Sequence, residues 1–283
     1  MKLPQLYIDD VIRRALAEDI NYIDVTTDYL IPEDQVSTAR FVAKDSGVLA
    51  GIEVAMRVFT LIDPEVAFEL YIKDGCRVEK GDVILTMRGR TASLLKGERT
   101  ALNLVQHMSG IATATARCVE LVKGTNASVT DTRKTLPGLR ALQKYAVVAG
   151  GGKNHRYNLS DAAMLKDNHI DAYGSLTAAV EALRAKAGHM VKIEVEVRTL
   201  EELEEALAVG ADVIMLDNMD CPAMKKAVDL TAGRAKLEAS GNITLENIAE
   251  VAKTGVDIIS LGALTHSVTC FDISMRIDRQ PAR

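Results

Sequence analysis

The second half of the chain repeats one unit: a short apolar run, polar residues at its end, and then an amphipathic stretch. The apolar runs have the length of buried strands, and the stretches between them, such as residues 200–209, carry apolar residues at helical spacing. Strands that alternate with helices in this way form a parallel sheet covered by helices. The runs lie at or within residues 127–130, 162–165, 191–197, 213–218, 237–242 and 258–265.

About six such units in series predict a sheet that closes into a barrel, with the chemistry at the carboxyl ends of the strands. An open doubly wound sheet is the alternative. It fits less well, because no strand runs into a G-x-G-x-x-G turn and because polar residues follow every strand rather than one crevice. The sequence therefore predicts an α/β fold in which residues 108–269 form a (β/α) barrel-like catalytic domain.

The first part of the chain has a different pattern. A helix is predicted over residues 7–20, where apolar side chains recur at the spacing of one helix face. Short β-like runs, separated by Gly, Asp and Pro turn signals, follow within residues 37–87. Residues 1–107 are therefore predicted to form a smaller α+β domain, and the tail, residues 270–283, is expected to pack back on it.

Two helices are predicted near the junction of these domains. The first covers residues 93–105. The second begins after Ser109 and Gly110 and runs to about Lys123, because Gly124 ends the periodic pattern.

Composition restricts the class of protein. With 283 residues and 48% hydrophobic residues, the chain can form a large core and is not disordered. A net charge of -5 argues against nucleic acid as a partner, although a cleft can still attract small anions. The four cysteines lack C-x-x-C spacing, and no apolar run suggests a signal peptide or a membrane span. We therefore expect a cytoplasmic protein without a membrane partner.

Basic residues are concentrated between Thr130 and His169. They form tight clusters after two of the apolar runs, whereas the charges of a solvated helix face alternate in sign. Side chains at strand ends are held rigidly, and Arg binds carboxylates and phosphates in bidentate fashion. This distribution predicts an anion-binding pocket. The residues concerned are Arg133, Lys134, Arg140, Lys144, Lys153, His155, Arg156 and Lys166.

Three carboxylates stand on neighbouring predicted strands. Glu194 and Glu196 are two residues apart and project to the same face, while Asp217 ends the next strand. An unpaired carboxylate is costly in a barrel interior. Carboxylates at adjacent strand ends suit Mg²⁺, which completes its shell with water and substrate oxygens. A buried ion pair with Lys or Arg is the alternative, and we favour the metal for Glu196 and Asp217.

Two loops of small residues follow the last two predicted strands, within the ranges given above. Small residues allow backbone N–H groups to approach a phosphate, and a helix start is plausible after each loop. The last two strands also carry the usual phosphate site of such barrels. The pair therefore predicts phosphate binding. One loop contains Ser240, Gly241 and Asn242, and the other contains Ser260, Leu261, Gly262 and Ala263.

Four segments together carry a resemblance to a known family. They are D-T-R-K-T at 131–135, P-G-L-R at 137–140, G-G-G-x-N-H-R at 150–156 and K-D-N-H at 166–169. In combination they resemble quinolinate phosphoribosyltransferase, and the similarity extends over nearly the whole chain. The resemblance implies transfer of phosphoribose from phosphoribosyl pyrophosphate to quinolinate. Pyrophosphate and CO₂ are released, and nicotinate mononucleotide is formed for de novo NAD biosynthesis.

The resemblance also implies roles for particular residues. Glu196 and Asp217 would face Mg²⁺ bound to phosphoribosyl pyrophosphate, no organic cofactor would be needed, and Glu194 is expected to pair with a lysine. The small-residue loops would hold the 5′-phosphate of the ribosyl substrate. Residues implied in catalysis are Lys134, Lys166, Glu196 and Asp217. Residues implied in substrate binding beyond these and the two loops are Arg99, Thr132, Arg133, His155 and Arg156.

Arg99 has two interpretations. Its local sequence indicates the surface of a helix. The segment E-R-T-A-L-N, however, resembles the family segment whose Arg reaches the substrate of a neighbouring subunit. A homodimer, or a hexamer built from dimers, with shared active sites is therefore expected.

Two other functions remain open. A related barrel could act on another aromatic acid or serve molybdenum uptake, but the intact K-D-N-H and G-G-G-x-N-H-R segments weigh against this. A non-catalytic protein that binds sugar phosphates would not need metal-binding carboxylates together with a dicarboxylate pocket.

Overall fold

The computed structural model describes residues 3–278. The elements of the first part are α1 (Gln5–Asp19), α2 (Val25–Leu30), β1 (Val36–Ala43), β2 (Gly47–Val48), α3 (Ile52–Ile62), β3 (Ala67–Leu70), β4 (Arg77–Val78), β5 (Val83–Arg90) and α4 (Thr91–Leu121). The elements of the second part are β6 (Ser128–Thr130), α5 (Arg140–Ala149), β7 (Ala163–Leu165), α6 (Asp167–Tyr173), α7 (Leu176–Lys186), β8 (Ile193–Val197), α8 (Leu200–Ala208), β9 (Val213–Asp217), α9 (Cys221–Thr231), β10 (Lys236–Ser240), α10 (Ile248–Lys253), β11 (Ile258–Ser260), α11 (Ala263–His266) and β12 (Ile273–Ile277).

These elements form two compact units that are interleaved along the chain. The first contains residues up to 116, residues 135–151 and the chain from residue 264 onward. The second contains residues 117–134 and 152–263.

The first unit is built on an antiparallel sheet of four strands in the order β12-β1-β5-β3. Burial alternates along β1, with Ala39, Phe41 and Ala43 inside, as expected for a strand with one face on a core. The ring of Phe41 meets that of Phe59 from α3 edge-on, with the centroids 6.1 Å apart. The pair α3 and β1 therefore supplies much of the aromatic part of this core.

Helix α4 is continuous over 31 residues, so the predicted break at Ser109 and Gly110 is wrong. The buried hydroxyl of Ser109 accepts a hydrogen bond from Ala50 N at 3.0 Å and donates to Ala50 O at 3.1 Å. A Cβ at position 110 would lie 2.2 Å from Thr269 O. Both small residues therefore serve close packing against the helix, and neither ends it.

The second unit contains six parallel strands in the order β6-β11-β10-β9-β8-β7. This confirms the predicted strands and the α/β barrel-like class. In the described part of the chain the ladder ends at β6 and β7 instead of closing. Lys153 bridges Thr130 in parallel, and its N–H donates to Val129 O at 2.8 Å, so this segment occupies the edge of β6. Because the six strands are parallel, their carboxyl ends lie at the same edge of the sheet, which is called the mouth below.

Within residues 3–278, no helix combines the length and the apolar character that crossing a membrane requires.

Replacement of Gly110 by Ala tests the close approach of the chain to α4. Helix propensity alone predicts that Ala stabilises a helix interior by up to about 1 kcal/mol. Because the new Cβ would meet the carbonyl of Thr269, we expect a loss of about 1–3 kcal/mol in the free energy of unfolding, measured by urea denaturation. Asn103→Ala, at an exposed position of the same helix, is the control. A Gly110→Ala protein as stable as this control would contradict the packing role.

Candidate active site

A cavity of about 640 Å³ opens at the carboxyl ends of the strands of the second unit. Its walls carry most of the residues that the sequence singled out. Those are Thr132, Arg133, Lys134, His155, Arg156, Lys166, Glu196, Asp217, Ser240, Gly241 and Asn242. The sequence-based prediction of a polar mouth on this face therefore corresponds to a real concavity.

The buried carboxylate of Asp131 joins two basic segments of the mouth. Asp131 follows β6, and its Oδ1 accepts the backbone N–H of His155 at 2.9 Å. Its Oδ2 accepts Asn154 Nδ2 at 2.5 Å. Residues far apart in the chain are thereby held together, so His155 and its neighbours face the same cavity as the residues after β6.

His155 lies between two buried carboxylates. Its Nε2 is 3.1 Å from Glu194 Oε2 and 3.4 Å from Glu238 Oε2. Burial lowers the pKa of His155, but the hydrogen bonds and charges of Glu194 and Glu238 outweigh burial and raise the pKa above its usual value. Its Nδ1 accepts the N–H of Arg156 at 2.8 Å, which requires a lone pair there. That bond needs the neutral ring with its proton on Nε2, whereas the two carboxylates favour a proton on Nδ1 as well, so the two interactions compete for the charge state of His155.

The expectation that Glu194 pairs with a lysine is wrong, because its ion-pair partner is His155. The described part of the chain also contains a group of three side chains that could ligate a metal, namely His155, Glu194 and Glu238. Their donor atoms lie within 4.8 Å of one another. The imidazole fills the space between the carboxylates as a hydrogen-bond donor. His155 therefore holds the two carboxylates together, although Glu238 Oε1 is buried without a hydrogen-bond partner.

Arg156 and Arg133 bring two guanidinium groups to one wall. Burial and the charge of Arg133 lower the pKa of Arg156 below its usual value. Arg156 Nη1 donates to Ala162 O at 2.9 Å, which fixes the guanidinium at the start of β7. Two like charges held together in a partly buried wall attract an anion strongly.

Lys166 and Glu196 form an ion pair across the mouth, with Nζ and Oε2 2.6 Å apart. Lys166 follows β7, and its backbone N–H donates to Nδ1 of His169 at 3.1 Å. From the sequence, an ion pair with Lys or Arg was the alternative to a metal at these carboxylates. For Glu196 the structure contains such a pair.

Asp217 completes the carboxylate pair. Glu196 on β8 stands opposite Met215 on β9, and Asp217 lies two residues beyond Met215, on the same face. Both carboxylates line the cavity, Glu196 with a side chain that is 10% exposed and Asp217 half-buried. Oxygen donors at neighbouring strand ends fit the preference of Mg²⁺.

The two small-residue loops are placed differently. Ser240, Gly241 and Asn242 line the cavity, whereas Ser260, Leu261, Gly262 and Ala263 are not among its lining residues. The N–H of Leu261 is committed to Thr130 O at 3.0 Å, and the Ser260 side chain is buried. The expected helix start directly after the first loop is wrong, because α10 begins only at Ile248, whereas α11 begins at Ala263, at the end of the second loop.

Arg99 is exposed on α4, in the first unit, and is not among the residues that line the cavity. Its expected contact with the substrate of a neighbouring subunit stays a prediction.

Four lining residues were missed from the sequence: Met164, Met215, Asn218 and Glu238. Two of them could have been identified from the alternation of side chains between the two faces of a strand. Met215 lies two residues before Asp217, and Glu238 lies two residues before Ser240, so each shares the face of a residue that was identified.

Two family models together cover most of the chain. The model described as "Quinolinate phosphoribosyl transferase, C-terminal domain" matches residues 111–276. The model described as "Quinolinate phosphoribosyl transferase, N-terminal domain" matches residues 24–109.

Named relatives and a solved structure indicate the same family as the two family models. The chain is 47% identical over 272 residues to the probable nicotinate-nucleotide pyrophosphorylase [carboxylating] of Bacillus subtilis, covering 96% of this chain and 94% of the relative. It is 48% identical to the nicotinate-nucleotide pyrophosphorylase [carboxylating] of Mycobacterium leprae, covering 94% and 95%. The crystal structure of NadC from Streptococcus pyogenes superposes with a TM-score of 0.95 at 46% identity, covering 98% of both chains. This chain belongs to the quinolinate phosphoribosyltransferase family.

Proposed function

We propose that this protein transfers phosphoribose from phosphoribosyl pyrophosphate to the ring nitrogen of quinolinate. Pyrophosphate and CO₂ leave, and nicotinate mononucleotide is formed for de novo NAD biosynthesis. The observation that carries the proposal is the pair of guanidinium groups of Arg133 and Arg156 in one wall of the cavity. Quinolinate has two adjacent carboxylates, and such a wall gives each of them a charged partner. The names of the relatives support the same activity.

Binding and orientation are the main tasks of the side chains. Arg133, Arg156 and Lys166 hold the dicarboxylate so that its ring nitrogen faces C1 of the ribose. This converts an encounter of two substrates into a reaction within one complex. Lys134, exposed at the mouth, meets the pyrophosphate charge that grows as the bond to C1 breaks and C1 becomes oxocarbenium-like.

Loss of CO₂ follows from the product of the first step. Once the nitrogen carries the ribose, the ring is positively charged. The bond from C2 to its carboxylate then breaks, CO₂ leaves, and the electron pair stays on C2 beside the charged nitrogen until C2 takes a proton from water. The protein needs no organic cofactor for this step. Its part is to keep the ring oriented while the cationic wall holds the remaining carboxylate.

Glu196 and Asp217 would hold Mg²⁺ that arrives with phosphoribosyl pyrophosphate. Support comes from their position on one face of adjacent strands and from the preference of Mg²⁺ for oxygen donors. The bound ion supplies charge neutralisation for the leaving pyrophosphate. Lys166 would release Glu196 from the ion pair when the metal and the anionic substrates enter, since its ammonium can turn to a substrate carboxylate.

The protein is further proposed to work in the cytoplasm as a homodimer, or as a hexamer of dimers, with Arg99 of one subunit completing the site of another. The exposure of Arg99 on a well-formed helix leaves its guanidinium available for such a contact.

Substrate choice tests the activity. We expect quinolinate to exceed nicotinate in kcat/KM by at least about a hundredfold, because nicotinate leaves a desolvated cation of the pocket without its partner. The measurement is pyrophosphate release with each acid. The control is a pyridine dicarboxylate whose two carboxylates are not adjacent. It has the charge of quinolinate but not the spacing of its carboxylates. Comparable kcat/KM values for quinolinate and nicotinate would overturn the proposal.

The metal assignment is tested by Glu196→Gln and Asp217→Asn. Both are expected to raise the Mg²⁺ concentration needed for binding of phosphoribosyl pyrophosphate, by roughly tenfold or more, because each removes a charged oxygen ligand. Calorimetric titration at several Mg²⁺ concentrations measures this directly, and quinolinate affinity serves as the internal control. Loss of quinolinate affinity, or of the fold, in both variants would favour a purely structural ion pair instead.

Mixed oligomers test Arg99. Arg99→Ala and Arg133→Ala should each lower kcat/KM roughly 10- to 150-fold, because each removes a charge-assisted hydrogen bond in a desolvated site. A mixed dimer of the two variants would contain one intact site, so co-expression should restore part of the activity.

Arg88→Ala, at an exposed Arg on β5, is the control that should stay fully active alone. Mixed dimers isolated through two different tags that remain inactive would show that Arg99 does not act across subunits.

A further inference from the structure

The loop after β10 has a strained backbone. Gly241 has φ of +91°, in the left-handed region that favours glycine, and the non-glycine residue Asn242 has φ of 51°. Asn218, at the end of β9, also lies in this region with φ of 55°. The left-handed region is unfavourable for most non-glycine residues, and asparagine adopts it most readily where hydrogen bonds hold it.

Asn218 holds the loop along its length. Its backbone N–H donates to Ser240 O at 2.9 Å. Its side-chain Oδ1 accepts from Asn242 Nδ2, also at 2.9 Å. Between these two contacts, a Cβ on Gly241 would lie 2.3 Å from Asn218 Oδ1 and 2.6 Å from its Cγ. The amide of Asn218 therefore occupies the space that any side chain at position 241 would need.

Asn247 holds the other side of the loop. Its Nδ2 donates to Asn242 O at 3.0 Å, and its Oδ1 accepts the N–H of Thr244 at 2.8 Å. Asn242 is thus bound through its side chain by Asn218 and through its carbonyl by Asn247. Its left-handed conformation is accounted for by these two anchors.

We propose that Asn218 is a positioning residue that clamps the loop of Ser240, Gly241 and Asn242 in the shape that receives the phosphate of the ribosyl substrate. This rests on the proposed function, and it adds a residue that the sequence did not single out. A preformed loop binds a phosphate without first losing conformational entropy. It also explains why position 241 must be glycine, because both its φ and the amide of Asn218 exclude a side chain.

The clamp predicts an effect on one substrate. Asn218→Ala should weaken binding of ribose 5-phosphate, measured by calorimetry, by about threefold to tenfold, the range expected for one lost hydrogen bond. The KM for phosphoribosyl pyrophosphate should rise with it, while the affinity for quinolinate stays within about twofold. Asn126→Ala is the matched control, since Asn126 is exposed in the turn before β6, at the amino end of the strands.

A second pair of variants tests the steric part. Gly241→Ala should lower Tm and weaken ribose 5-phosphate binding, because the methyl group meets the Asn218 amide. Adding Asn218→Ala removes that amide, so the double variant should regain part of the Tm lost by Gly241→Ala alone. The strained φ remains, so recovery should be incomplete. If the Tm losses of the two single variants simply add in the double variant, the clamp is refuted.

A third variant covers the case in which Asn218→Ala does not fold. Asn218→Asp keeps the acceptor for Asn242 Nδ2 and should retain the Tm of the wild type, but its negative charge should weaken ribose 5-phosphate binding most at low salt. The clamp alone is refuted if Asn218→Ala binds as the wild type does, or if Asn218→Asp has the wild-type Tm but still binds weakly at high salt, where its charge is screened. A wild type that does not bind ribose 5-phosphate would refute the phosphate assignment, and the clamp with it.

Discussion

The buried carboxylate of Asp131 is the interaction on which the arrangement of the site depends. Its two oxygens hold Asn154 and the backbone of His155 at the end of β6. The same segment also reaches the sheet through the bridge of Lys153 to Thr130 and through the contacts of His155 with Glu194 and Glu238. A buried carboxylate is costly unless its oxygens are satisfied, so this side chain strongly favours one conformation of the loop.

The charges of the site are balanced in layers. The outer layer is cationic, with Arg133 and Arg156 in the wall, while Glu194 and Glu238 lie beneath it, buried. Cations that face only one another would repel, and the cavity would be unstable without a ligand. The acids below supply opposite charge and hold His155, while the cations above remain directed to the cavity. The site can therefore stay formed when it is empty, and an arriving dianion does not have to assemble it.

Alternation of residue types made part of this structure predictable. The six parallel strands and the polar residues at their ends were predicted correctly, because buried strands produce compact apolar runs with an abrupt polar end. The same rule applied one step further would have identified Met215 and Glu238. Contacts between distant segments were not predictable in this way. His155 is held near Glu194 by Asp131, and Gly110 lies within α4 at the point where Thr269 approaches closely, so both features depend on contacts with distant residues.

The position of β12 has a consequence for synthesis of the chain. β12 pairs with β1 from Ala39 opposite Ile277 to Ala43 opposite Ile273, so the first sheet receives an edge strand that is made after every other described element. Until then β1 is itself the edge, with unpaired N–H and C=O groups that can recruit strands from other chains. Until residues 273–277 have been made, the nascent chain thus exposes a template for aggregation. Products that stop before residue 273 would keep that exposed edge permanently.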